Sequence, residues 1–208
     1  MALSTTRQAI AHISKAIAPR MRALGFRQQA NHFHRRSADL VHGINFQASR
    51  WGSFDEGFTL NLLVTSDWLY QAWSGRAFPA NPATALFPVQ QRIGSLMPSH
   101  LDHWWSVSTT TDIGALSNEI GEQIAAHALP FFDTFPDSHA LLERARSGIG
   151  IPGLTAAQVP LVHAIIASHG GLRDEARLRL ERAVIDAGDS LFAGTVQSLA
   201  LRLAFPGT

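Results

Sequence analysis

Apolar residues recur at helical spacing over the first two dozen positions. Ile10, Ile13, Ile17, Met21 and Leu24 share one face, flanked by Ala9, Ala16 and Ala23. Ser4 or Thr5 is placed to cap this helix, Gly25 to stop it in a left-handed conformation, and Pro19 to kink or divide it. Period-two patterns follow. Phe26 to Arg36 reads as a first strand, and Ser37-Ala38-Asp39 as a short turn. In the second strand Leu40, His42, Ile44, Phe46 and Ala48 oppose Val41, Gly43, Asn45, Gln47 and Ser49. A turn from Gly52 to Gly57 leads into a third strand. There Phe58, Leu60, Leu62 and Val64 oppose Thr59, Asn61, Leu63 and Thr65. Such short connections predict an antiparallel meander with one face on the first helix.

Ser74 to Ser99 is rich in Pro, Gly and Asn and reads as irregular, with a helical turn near Val89 to Leu96. His103 to Ser108 fits a fourth strand. Ile113, Leu116, Ile120, Ile124 and Ala128 mark a helix that Pro130 is expected to end, and Asp137 to Arg146 a shorter one. Beyond Gly148-Ile-Gly-Ile-Pro-Gly153 the pattern is helical, over 156–168, 173–187 and 190–205. The expected architecture is therefore α+β: a four-stranded antiparallel sheet on an N-terminal helix, followed by an all-helical segment. An α+β domain over 1–147 and a docked helical tail over 154–206 are the expected divisions.

The 208-residue chain is 46% hydrophobic and 16% charged, a globular composition with a net charge of +1. So even a balance supplies no electrostatic case for nucleic acid or an anionic membrane. Arg35, Arg36 and Arg50 beside Trp51 suggest charge plus stacking, yet no basic stripe continues from them, and solvated strand ends are the plainer reading. Lacking cysteine, the chain has no thiolate nucleophile and no cysteine-ligated zinc. The N-terminal residues lack the pattern of a secretory signal, and no stretch approaches the about 20 apolar residues of a membrane helix. Cytoplasmic residence is expected.

Gly148, Gly150 and Gly153 match G-x-G-x-x-G in form only. The fingerprint needs a strand before it, whereas a helix is expected here, and Pro152 removes an amide donor. His32 and His34 alternate on one strand face, a spacing able to chelate a metal, with His100, His103 and Asp102 as further candidates. Trp104-Trp105 places one indole on each side of its strand. If Phe33 faces the helix, His32, His34 and Arg36 share the far face with Asn45, Gln47, Thr59 and Asn61. Such groups are hydrogen-bonded beneath a cover, solvated, or arranged as a recognition floor.

Gly25-Phe26, Phe33, Arg35, Ile44-Asn45-Phe46-Gln47, Ser49-Arg50 and Phe58-Thr59-Leu60-Asn61-Leu62 together form a fairly distinctive set. With Trp104-Trp105 and Leu129-Pro130-Phe131-Phe132, this set resembles a bacterial family known only as domain of unknown function 4304, over roughly residues 5 to 135. The resemblance implies a shared α+β domain and brings no activity with it. The tail resembles one tetratricopeptide-type helix pair through Ala164, Gly171, Ala176, Leu180 and Ala183, and a generic helical hairpin accounts for the same residues.

The function expected from these features is non-enzymatic binding of a protein or peptide without a cofactor. His34, Asn45, Gln47, Asn61 and Trp105 are the candidate binding residues. The alternative is a metal-dependent hydrolase built on His32, His34, His100 and His103.

Overall fold

The computed structural model describes residues 5–49, 57–80, 82, 85, 88–188, 190 and 192–203. The candidate cap Ser4, the Arg50 and Trp51 pair, the turn residues before Gly57 and the expected helix end at Phe205 lie outside them. The chain is mixed α and β, with an N-terminal helix, an open antiparallel sheet and C-terminal helices. The elements are α1 (Thr5–Ala23), β1 (Arg27–Gln29), β2 (His32–Ser37), β3 (Leu40–Ala48), β4 (Gly57–Thr65) and α2 (Asp67–Ser74). Then come β5 (Val89–Arg92), a 3-10 turn (Ile93–Leu96), β6 (Trp105–Ser106) and α3 (Ile113–Gln123). A π-helical segment (Ile124–Ala128) leads into α4 (Leu129–Asp133), followed by α5 (Ser138–Arg146), α6 (Val159–His169), α7 (Arg173–Ala187) and α8 (Ala193–Arg202).

Among the described residues the sheet has six strands rather than the expected four, in the order β1-β2-β3-β4-β5, with β6 paired to β4. The expected first strand is in fact a hairpin. Ala30 adopts φ +52°, so the chain folds back at Ala30-Asn31 and Gln29 pairs with His32. Residues 89–92, expected to lie in a helical turn, form β5, and only Ile93–Leu96 is helical. Pro130 does not end its helix. Pro130 cannot donate to the carbonyl four residues back, and the chain widens into the π-helical turn just before it, then continues as α4. Pro19 likewise leaves α1 one continuous helix, because it sits on the exposed side, where water can satisfy the carbonyl it frees.

The structure comprises two compact units, and the first contains residues 1–37, 41–63 and 91–134. Ile10, Ile13, Ile17 and Met21 of α1 are buried, as the spacing requires. Ile10, Ala11 and Ser14 share a cleft with Phe46 and Ala48, so α1 lies on the predicted apolar face of β3. Next to it Arg35 ties four elements together. Its Nε donates to His42 Nδ1 at 3.4 Å and its Nη1 to the Leu24 carbonyl at 3.3 Å. The guanidinium also lies 4.8 Å from the Phe26 ring centre and 5.9 Å from that of Phe132. Buried His42 stacks on Phe132 at 4.7 Å. Arg35 is thus bonded to β3 and to the end of α1, and packs against α4.

The second unit contains residues 38–40, 64–90 and 135–208. Ser66 caps α2 by accepting from Leu69 N–H at 3.0 Å, and Arg202 donates to the carbonyls of Ala72 and Trp73 at its other end. Helices α5 to α8 pack as successive neighbours, and α2 packs on α6 and α8. Gly148 to Gly153 lies within this unit. Gly153, at φ +78°, passes so close to the Gln90 backbone that a Cβ would run into the Gln90 carbonyl.

Across α5, α6 and α7 runs a charged network. His163, nearly closed to solvent, bonds Glu175 at 2.6 Å, and Glu175 takes two bonds from Arg146, which also reaches Glu143. Burial holds the His163 imidazole below its ordinary pKa, outweighing the Glu175 bond, with Arg179 and Arg146 adding to the depression. Hydrogen bonding from Arg146 leads in bringing Glu175 down to about 2.

Replacing Arg35 with Met removes its bonds to His42 Nδ1 and the Leu24 carbonyl, and should cost roughly 1–3 kcal/mol in denaturant melts. For the network, a depressed histidine pKa means that the unfolded chain binds the extra proton first. Its contribution is complete above the ordinary histidine pKa and declines as pH falls below it; the Glu175 contribution is lost further down, as pH falls from its ordinary value toward about 2. Melting temperature should therefore fall on acidification from pH 7, and His163→Leu should flatten the upper part of that decline.

Candidate functional site

The polar side of the sheet is closed at its centre and open toward β2. All nine residues of β4 are buried, including Thr59 at 0% and Asn61 at 3% exposure. On β2 and β3 the residues His34, Asn45 and Gln47 are only half-buried. Asn61 Nδ2 donates to Gln47 Oε1 at 2.8 Å, which fixes the Gln47 amide and leaves its NH2 group as a donor. His34 lies opposite Arg27 in the β1–β2 pairing. Partial burial first, then the charges of Arg27 and Arg36, depress its pKa, so the ring is neutral near pH 7.

Several buried atoms on this face have no partner among the described residues: Thr59 Oγ1, Asn61 Oδ1 and His32 Nδ1. The face is therefore not a closed, self-satisfied network of the kind that buried polar groups normally form.

Trp105 is not part of it. Its indole is buried at 5% exposure, stacks on Phe58 at 5.6 Å, and donates from Nε1 to Glu119 at 2.8 Å. Pairing of Trp105 with Phe58 puts it on the apolar side of the sheet. Trp104 remains partly exposed, beneath the Arg92 guanidinium at 5.2 Å, and bonds Asp102 at 2.9 Å.

The four candidate metal ligands do not form a set. His100 is exposed and its Nδ1 lies 3.1 Å from the Ser95 carbonyl; His103 packs edge-on against Trp105 at 4.5 Å. His32 lies on β2, opposite Gln29 of β1. Among the described residues no three His, Cys, Asp or Glu side chains are grouped to hold a metal ion. No helix among them is long and apolar enough to cross a membrane.

On the opposite side of β3 the structure contains a cleft of about 550 Å³ that the sequence reading missed. Arg7, Ile10, Ala11 and Ser14 of α1 form one wall, Gln28, Ala30 and Asn31 the other, and Phe46 and Ala48 the floor. It exists because the chain turns at Ala30-Asn31 instead of running on as a strand. The polar run Gln28-Gln29-Ala30-Asn31, unusual inside a strand, was the signal available for that turn.

No curated protein and no solved structure matches the chain. Residues 17–134, more than half of the chain, match the family described as Domain of unknown function (DUF4304). They span most of the first unit, the polar strip included, and the chain belongs to that family.

Proposed function

We propose that the protein is a non-enzymatic, cytoplasmic binding module that recognises a protein or peptide through the half-exposed polar strip of His34, Asn45 and Gln47. Asn61 lies behind the strip and orients Gln47. The observation that carries this reading is the unsatisfied state of the polar face. Groups retained only for internal hydrogen bonding would be paired, because an orphaned buried polar atom costs about 1–3 kcal/mol. Here Thr59 Oγ1 and Asn61 Oδ1 have no partner among the described residues, while the amide beside them is anchored to present a donor. A strand offers no local reason to prefer amides to Thr or Val at these positions.

The test combines stability with binding. Gln47→Ala should cost about 1–3 kcal/mol, because it leaves the buried Asn61 Nδ2 without its acceptor, and should abolish capture of the partner identified with the wild-type chain. Asn61→Ala should weaken capture by releasing the Gln47 amide. Large melting shifts with capture intact would show that these amides serve the fold alone.

A further inference from the structure

The cleft on the other face is an independent matter, and it begins with the way β3 outruns its neighbour. Ser49 N–H donates to the Gly57 carbonyl at 2.8 Å, so Ser49, and by alternation Gln47, direct their backbone groups at β4. Phe46 and Ala48 are out of phase with them and direct theirs to the side where β2 lies. But β2 starts only at His32. The two-residue Ala38-Asp39 turn pairs Ser37 with Leu40, which carried along the hairpin sets His32 opposite Asn45. Beyond that point the Asn31 side chain takes over, donating from Nδ2 to the Phe46 carbonyl at 3.3 Å. Ala48, two residues further on, has no β2 residue opposite it. Among the described residues no strand lies opposite its N–H and C=O, which form a short open strand edge at the floor of the cleft.

The side chains around that edge suit an extended backbone. Gln28 uses its Nε2 to hold the Ala30 carbonyl at 2.9 Å, and Asn31 uses its Nδ2 on Phe46. Each amide is thereby fixed by its nitrogen and retains its oxygen as an acceptor for an incoming N–H. Ile10, Ala11, Phe46 and Ala48 supply an apolar lining for one side chain of the ligand. Backbone N–H donors, a backbone C=O acceptor and a single apolar side chain, presented together, describe an extended peptide.

We infer that this cleft is a peptide site, in which a short extended segment of a partner protein adds beside the end of β3 in the place β2 vacates, with one apolar side chain between α1 and the sheet. Ala48 would bind its backbone, and Gln28 and Asn31 would accept from its amides.

The experiment pans a random heptapeptide display library against the full chain, with counter-selection on Ala11→Arg. Ala11 is exposed on α1 and Arg is a good helix former, so the variant fills the cleft without disturbing the core; its helical content is checked by circular dichroism. Enriched peptides are synthesised and titrated calorimetrically, each with a series of single backbone N-methylations. The expected result is a set sharing one apolar position. Ala11→Arg, Gln28→Ala or one particular N-methyl group should each weaken their binding about tenfold. The inference is overturned if nothing is enriched beyond the counter-selection, or if binding is indifferent to every N-methylation. It is also overturned if the enriched peptides lose binding on Gln47→Ala and keep it on Ala11→Arg, which would assign them to the polar strip. Failure here leaves the polar-strip reading standing, because that reading is tested by other variants.

Discussion

Complete burial of β4 governs most of what surrounds it. All nine residues from Gly57 to Thr65 are closed to solvent, so both faces of the strand are interior. Phe58, Leu60 and Leu62 meet that condition at no cost, and Phe58 is packed by Phe46 and Trp105 at ring separations of 5.7 and 5.6 Å. Thr59 and Asn61 meet it only in part. Among the described residues two of their oxygens have no partner, and the Asn61 amide hydrogen-bonds outward to Gln47, where the sheet becomes accessible. The polar strip is thus the accessible margin of an otherwise interior surface.

Arg35 closes the other side of the same unit. A guanidinium among the aromatic rings of Phe26 and Phe132 is tolerated because it donates to His42 and to Leu24 and lies against ring faces. Lys could not supply that planar fork. Hydrogen bonding through Nδ1 also leaves the His42 ring flat against Phe132, so one side chain orders a strand pair, a helix end and the aromatic packing of α4.

Much of this was legible from residue order. The spacing of Ile10, Ile13, Ile17 and Met21 predicted the buried face of α1. Alternation in 40–49 and 58–65 predicted two neighbouring strands and assigned their faces. Alternation alone puts the amides on one side and Phe46, Phe58 and Leu60 on the other. Less was legible at the turns. Ala30 takes a left-handed conformation that its identity does not announce, and Pro130 acts as a breaker in isolation yet sits within a helix here. Residues 89–92 are too few to show a period, and they pair only because β4 presents an edge to them.

Periodicity and composition by themselves determined the fold class, the buried face of α1, the apolar faces of β3 and β4 and the polar character of the far face. Each of these is a local property, set by which side of an element a residue occupies. Only the tertiary structure decided that Trp105 is core, that His32, His34, His100 and His103 do not form a ligand set, that Asn61 is sealed while Gln47 is reachable, and that a cleft opens past the end of β2. Those outcomes depend on distances between residues far apart in the chain and on where one strand stops relative to its neighbour. A single sequence records neither, because convergence in space is a property of the packed chain.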